Sequence, residues 1–120
     1  MNYRTSFLAL VVLVLGTCFA QAHAFLDHAE PKVGSTVAAS PKVVKIWFTQ
    51  KLEIAFSNVQ VFDEAGNQVD KRDKKLDPSD QSLLLVSVPQ LKPGKYKVSW
   101  RVVSVDTHVT SGTFTFEISP

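Results

Sequence analysis

Lys95-Tyr96-Lys97-Val98-Ser99-Trp100-Arg101-Val102 decides the fold class. Tyr96, Val98, Trp100 and Val102 share one parity, and Lys95, Lys97, Ser99 and Arg101 share the other. Successive side chains of an extended chain point to opposite faces, so this alternation is that of a strand with one face in a core and one in water. Phe114, Phe116 and Ile118 repeat it against Thr113, Thr115 and Glu117. Val59 and Val61, beside Asn58 and Gln60, are a shorter copy. The denser runs Val43 to Phe48 and Leu83 to Val88 predict strands covered more fully on both sides, and Leu26 is expected to open the first strand.

Turn chemistry separates these runs: Pro31 and Gly34, Ser40-Pro41, Ala65-Gly66-Asn67, Asp77-Pro78 and Lys92-Pro93-Gly94. No stretch has the period of a long amphipathic helix, and nothing repeats at a fixed interval. About seven short strands punctuated in this way predict a single all-β domain, a two-sheet antiparallel β-sandwich or small Greek-key barrel of the immunoglobulin-like kind. Trp47 and Trp100 are expected to pack in it. The charged stretch Lys71-Arg72-Asp73-Lys74-Lys75 is followed by Asp77 and Asp80 and holds no aromatic residue, so it reads as a solvated loop.

The first 22 residues have a different character. Arg4 precedes the unbroken apolar run Phe7 to Gly16, and small residues follow at Ala20-Gln21-Ala22. This is the pattern of a secretory signal peptide. Even extended to Ala20, the apolar stretch has 14 residues, short of the roughly 20 a spanning helix needs, so no stable membrane insertion is expected. Cleavage after Ala24 and lipidation at Cys18 are the competing readings. Removing residues 1–22 from 120 leaves one 98-residue domain, 23–120, ending at Ser119-Pro120 with no terminal anchor expected.

That domain loses Arg4 from 13 Lys and Arg set against 11 Asp and Glu, leaving a net charge of +1. So balanced a charge gives no reason to propose nucleic acid or an acidic membrane as a partner. The only Cys, Cys18, and the only Met, Met1, both lie in the removed segment. The domain then has no disulfide and no soft sulfur ligand.

Three histidines remain: His23, His28 and His108. Cleavage after Ala22 makes His23 the first residue, offering its α-amine and ring Nδ1 as a chelating pair. Asp106 and His108 stand two apart in Val105-Asp106-Thr107-His108. In an extended backbone, positions i and i+2 project to the same side, which would put a carboxylate and an imidazole together. An amine, two imidazoles and a carboxylate suit Cu(II) in tetragonal geometry, with tetrahedral zinc as the other option. His28, two residues past Leu26, is expected to share a face with it in a structural or surface role.

His23-Ala24-Phe25-Leu26 with Pro31, Pro93-Gly94 through Val103-Ser104, and Asp106-Thr107-His108 with Gly112 to Phe116 together resemble the CopC family of periplasmic copper-resistance proteins. The resemblance implies a cupredoxin-like β-sandwich binding one Cu(II) per chain through His23, Asp106 and His108. It implies a periplasmic carrier or buffer in copper homeostasis that passes copper to a CopD-type membrane protein; the protein is expected to be a monomer and not an enzyme. The family often has glycine where this chain has Thr107, and some members carry a methionine-rich Cu(I) segment that this domain lacks. An oxidative copper enzyme using an N-terminal histidine and a metal-free structural sandwich are the alternative functions. No nucleophile-and-base triad or phosphate-binding glycine loop stands out.

Overall fold

The computed structural model describes residues 24–120; the leader, Cys18 and His23 lie outside the described residues. Eight strands form two four-stranded sheets: β1 (Leu26–Glu30), β2 (Thr36–Val37), β3 (Val43–Phe48), β4 (Asn58–Phe62), β5 (Lys75–Asp77), β6 (Asp80–Ser87), β7 (Gly94–Val103) and β8 (Val109–Ile118). One sheet has the order β1-β3-β6-β5 and the other β2-β8-β7-β4. Neighbours are mostly non-consecutive in sequence, the result of a chain that crosses repeatedly between the sheets in Greek-key fashion. The only helical element among the described residues is a single 3-10 turn at Ile54–Phe56, and no described helix is long and apolar enough to cross a membrane.

The alternating stretches become the long β7–β8 pair, in register from Gly94↔Ile118 to Val103↔Val109. Tyr96, Val98, Trp100 and Val102 are buried and meet Phe114, Phe116 and Ile118 in the core. The dense runs are β3 and β6, the two central strands of the other sheet, contributing Val44, Ile46, Phe48, Leu84 and Val86. Asp63 organises the turn after β4, where its Oδ1 accepts the N–H groups of Ala65 and Asn67, and Gly66 takes a φ of +88°.

The strand count exceeds the expected seven because β2 and β5 are edge strands of two and three residues. β2 also pairs parallel with β8, so its sheet is mixed and not wholly antiparallel. β5 begins at Lys75, inside the charged stretch expected to be a loop. Lys71 N–H donates to the Ser87 carbonyl, and Asp73 Oδ1 accepts Ser87 N–H, so that stretch is tied along β6.

His28 does not share a face with Leu26. The pairing of β1 with β3 shifts between these two residues, a bulge that turns His28 outward while Leu26 packs on the core. His28 stacks on Trp47 with ring centroids 4.2 Å apart and planes 11° apart. Trp47 is therefore a packing residue of the outer sheet face, whereas Trp100 is buried and meets Phe48 edge-on at 5.1 Å.

Candidate metal centre

The segment joining β7 to β8 crosses one end of the sandwich. Ser104 N–H donates to the His108 carbonyl at 2.9 Å, and Thr107 N–H donates to the Ser104 carbonyl at 2.8 Å. These two bonds close a three-residue hairpin loop, Val105-Asp106-Thr107, whose third residue must be left-handed. Thr107 occupies that position with φ +71°. A β-branched residue costs about 1–2 kcal/mol there relative to glycine. The chain nonetheless holds Thr107 in this left-handed conformation, one that glycine adopts without such a cost.

The loop corrects the reason given for pairing Asp106 with His108. The backbone between them is a turn, not an extended strand. The reversal itself brings Asp106 Oδ2 to 3.2 Å from His108 Nδ1. The side chains remain 38% and 49% exposed, respectively, so both are open to a solute. Donors bind a divalent first-row ion at about 2.0–2.2 Å, which places two at right angles about 2.8–3.1 Å apart. The observed spacing is close to that of an adjacent pair on one ion.

Two neighbours fix the carboxylate. The buried Ser104 hydroxyl donates to Asp106 Oδ1, and His108 faces Oδ2. Ser104 foremost, then His108, holds the Asp106 carboxyl below the ordinary value of 3.8. Asp106 is therefore anionic throughout the neutral range. A depressed pKa stabilises the fold above the ordinary value, and that contribution is lost as pH falls through the lowered one.

The start of the described chain lies against this hairpin. Ala24 is fully buried, and its carbonyl accepts the Thr110 hydroxyl at 2.6 Å, two residues beyond His108. Phe25 N–H donates to Thr49 Oγ1, and Thr49 N–H donates to the Phe25 carbonyl, both at 2.9 Å. Val105 N–H donates to the Lys51 carbonyl, and Leu52 bridges to Ser104. Phe25, Val105 and Val109 stay exposed at this end.

Among the described residues, no three His, Cys, Asp or Glu side chains gather into a metal-holding group. Asp106 and His108 are brought together as a pair. His28 belongs elsewhere, with Nδ1 2.7 Å from Asp27 Oδ2 on the outer face of β1. Sequence reasoning did not single out Ser104 for the site. It stands on the inward parity of Val98, Trp100 and Val102, and a polar residue in that row is the signal that could have found it.

The CopC domain model matches residues 26–119. The chain belongs to the CopC family. Its relatives include protein YobA of Escherichia coli K12, 35% identical over 112 residues that cover 92% of this chain and 90% of that protein. Copper resistance protein C of Escherichia coli is 32% identical over 114 residues, covering 88% and 90%. CopC from Methylosinus trichosporium OB3b has the same fold, with a TM-score of 0.77 and 36% identity over 82% of this chain and 95% of that one. The CopC-family β-sandwich is thus the architecture here, and the Asp106-His108 hairpin lies at one end of it.

Proposed function

We propose that this CopC-family chain is a periplasmic Cu(II) carrier or buffer in copper homeostasis. It is cleaved after Ala22 and holds one Cu(II) through the His23 amine and ring, the Asp106 carboxylate and the His108 imidazole. The observation that carries the reading is the exposed Asp106–His108 pair, 3.2 Å apart, with the buried Ala24 bonded to Thr110 beside it. Two donors are an incomplete set for Cu(II), and His23 directly precedes Ala24 in the sequence.

The same anchor favours cleavage after Ala22 over cleavage after Ala24. The later cut would remove a fully buried core residue and the acceptor of the Thr110 hydroxyl. It would also discard His23. A half-exposed pair on a hairpin loop suits a carrier, because an incoming ligand can approach the ion without unfolding the domain. Transfer to a CopD-type membrane protein would then proceed by ligand exchange on encounter.

Cu(II) affinity is expected to fall as pH drops from about 8 to about 5, because nitrogen donors must shed protons to bind. Asp106, held below its ordinary value of 3.8, adds nothing to that dependence in this range. Chelator competition across those pH values checks it. An affinity that stays constant from pH 8 to pH 5 contradicts the nitrogen donors.

A further inference from the structure

Ser104 carries a second message about the same loop. It is completely buried and directly follows β7, continuing the strand's inward row. Its hydroxyl donates to Asp106 Oδ1 and lies 3.4 Å from the His108 carbonyl oxygen. A hydroxyl has one hydrogen, and an ionised carboxylate is the stronger acceptor of the two. The His108 carbonyl already receives Ser104 N–H at 2.9 Å, so it does not need the hydroxyl.

We propose that Ser104 is the positioning residue of the metal centre. It holds Asp106 Oδ1 from the interior so that Oδ2 alone meets the ion beside His108 Nδ1. The inference rests on reading Asp106 and His108 as copper ligands. The serine is anchored by backbone bonds on both sides of the loop, through its N–H to His108 and its carbonyl to Thr107. Its hydroxyl therefore sits on the rigid end of the strand pair, and the carboxylate is oriented before any ion arrives. A one-oxygen carboxylate suits the four close positions of tetragonal Cu(II). It is a poor match for Ca(II), which gathers six to eight oxygens and often takes both from one carboxylate.

The test compares the processed wild-type protein with S104A, S104T and D106A, by chelator competition for Cu(II) near neutral pH and by electron paramagnetic resonance of the copper forms. Removing a partner that orients a ligand typically weakens metal binding about 10–100-fold. S104A is expected to bind about tenfold more weakly with an altered copper spectrum, and S104T, which keeps the hydroxyl, to restore the wild-type spectrum. If S104A keeps wild-type affinity and spectrum while D106A loses both, Ser104 only packs and the inference fails. If D106A also behaves as wild type, Asp106 is not a ligand, and the copper-site reading falls together with the inference. A crystal structure of the wild-type copper form decides the matter without a variant. Oδ2 on copper with Oδ1 on Ser104 supports the assignment, and both oxygens on copper overturn it.

Discussion

Replacing His108 by alanine is expected to weaken Cu(II) binding at least about a hundredfold while leaving the fold intact. Removal of an orienting partner alone costs about 10–100-fold, and His108 is proposed as a direct donor whose loss leaves an open position on the ion. The side chain is 49% exposed, and a surface substitution of this kind usually changes stability by less than about 0.5 kcal/mol. Affinity and folding should therefore separate cleanly. Chelator competition reads the first and thermal unfolding of the metal-free protein reads the second. H28A is the matched control, because His28 stacks on Trp47 on the outer sheet face and should keep wild-type affinity. Wild-type binding by H108A would show that His108 is not a copper ligand.

The second large effect concerns the core. Gly112 pairs with Trp100 across β7 and β8, and a Cβ at residue 112 would stand 2.6 Å from Trp100 Cζ2 and 3.0 Å from Cε2. The indole cannot easily move aside, since it is buried against Phe48. Overpacking of this kind costs about 1–3 kcal/mol. Alanine would otherwise gain about 0.5–1 kcal/mol over glycine within a strand, so the clash outweighs the gain. In a domain of this size 1 kcal/mol moves the thermal midpoint by about 4–8 °C. G112A should accordingly melt roughly 5–15 °C below wild type in the metal-free state. A midpoint equal to or above that of wild type would show that Trp100 does not pack over residue 112 as described.

What the sequence disclosed follows the length of each pattern. β7 and β8 are 10 residues long and alternate visibly over Lys95 to Val102 and Thr113 to Ile118, so their faces could be assigned before any coordinates. β2 and β5 have two and three residues, too few for a period to register, and they are strands only because β8 and β6 offer them a free edge. The bulge in β1 escaped for a related reason: nothing in Leu26-Asp27-His28 announces an extra residue, and one shift of register moved His28 to the other face.

At the site, residue types were more legible than geometry. Asp106 and His108 were legible as candidate donors two apart, yet a hairpin loop brings them together, not strand alternation. The left-handed Thr107 hides that loop, because glycine is the usual mark of such a position and threonine is not. Ser104 is an ordinary serine in sequence. Only burial and its bond to Asp106 reveal it as the inner support of the pair.

The central claim is that a terminal histidine completes the Asp106–His108 pair. Intact mass of the exported protein, with and without one equivalent of Cu(II), followed by electron paramagnetic resonance of the copper form, tests it most directly. The account predicts a chain beginning at His23 that gains one copper and gives a nitrogen-rich tetragonal signal. A chain that begins at Phe25, or that is lipidated at Cys18, lacks the histidine's terminal amine and would contradict it.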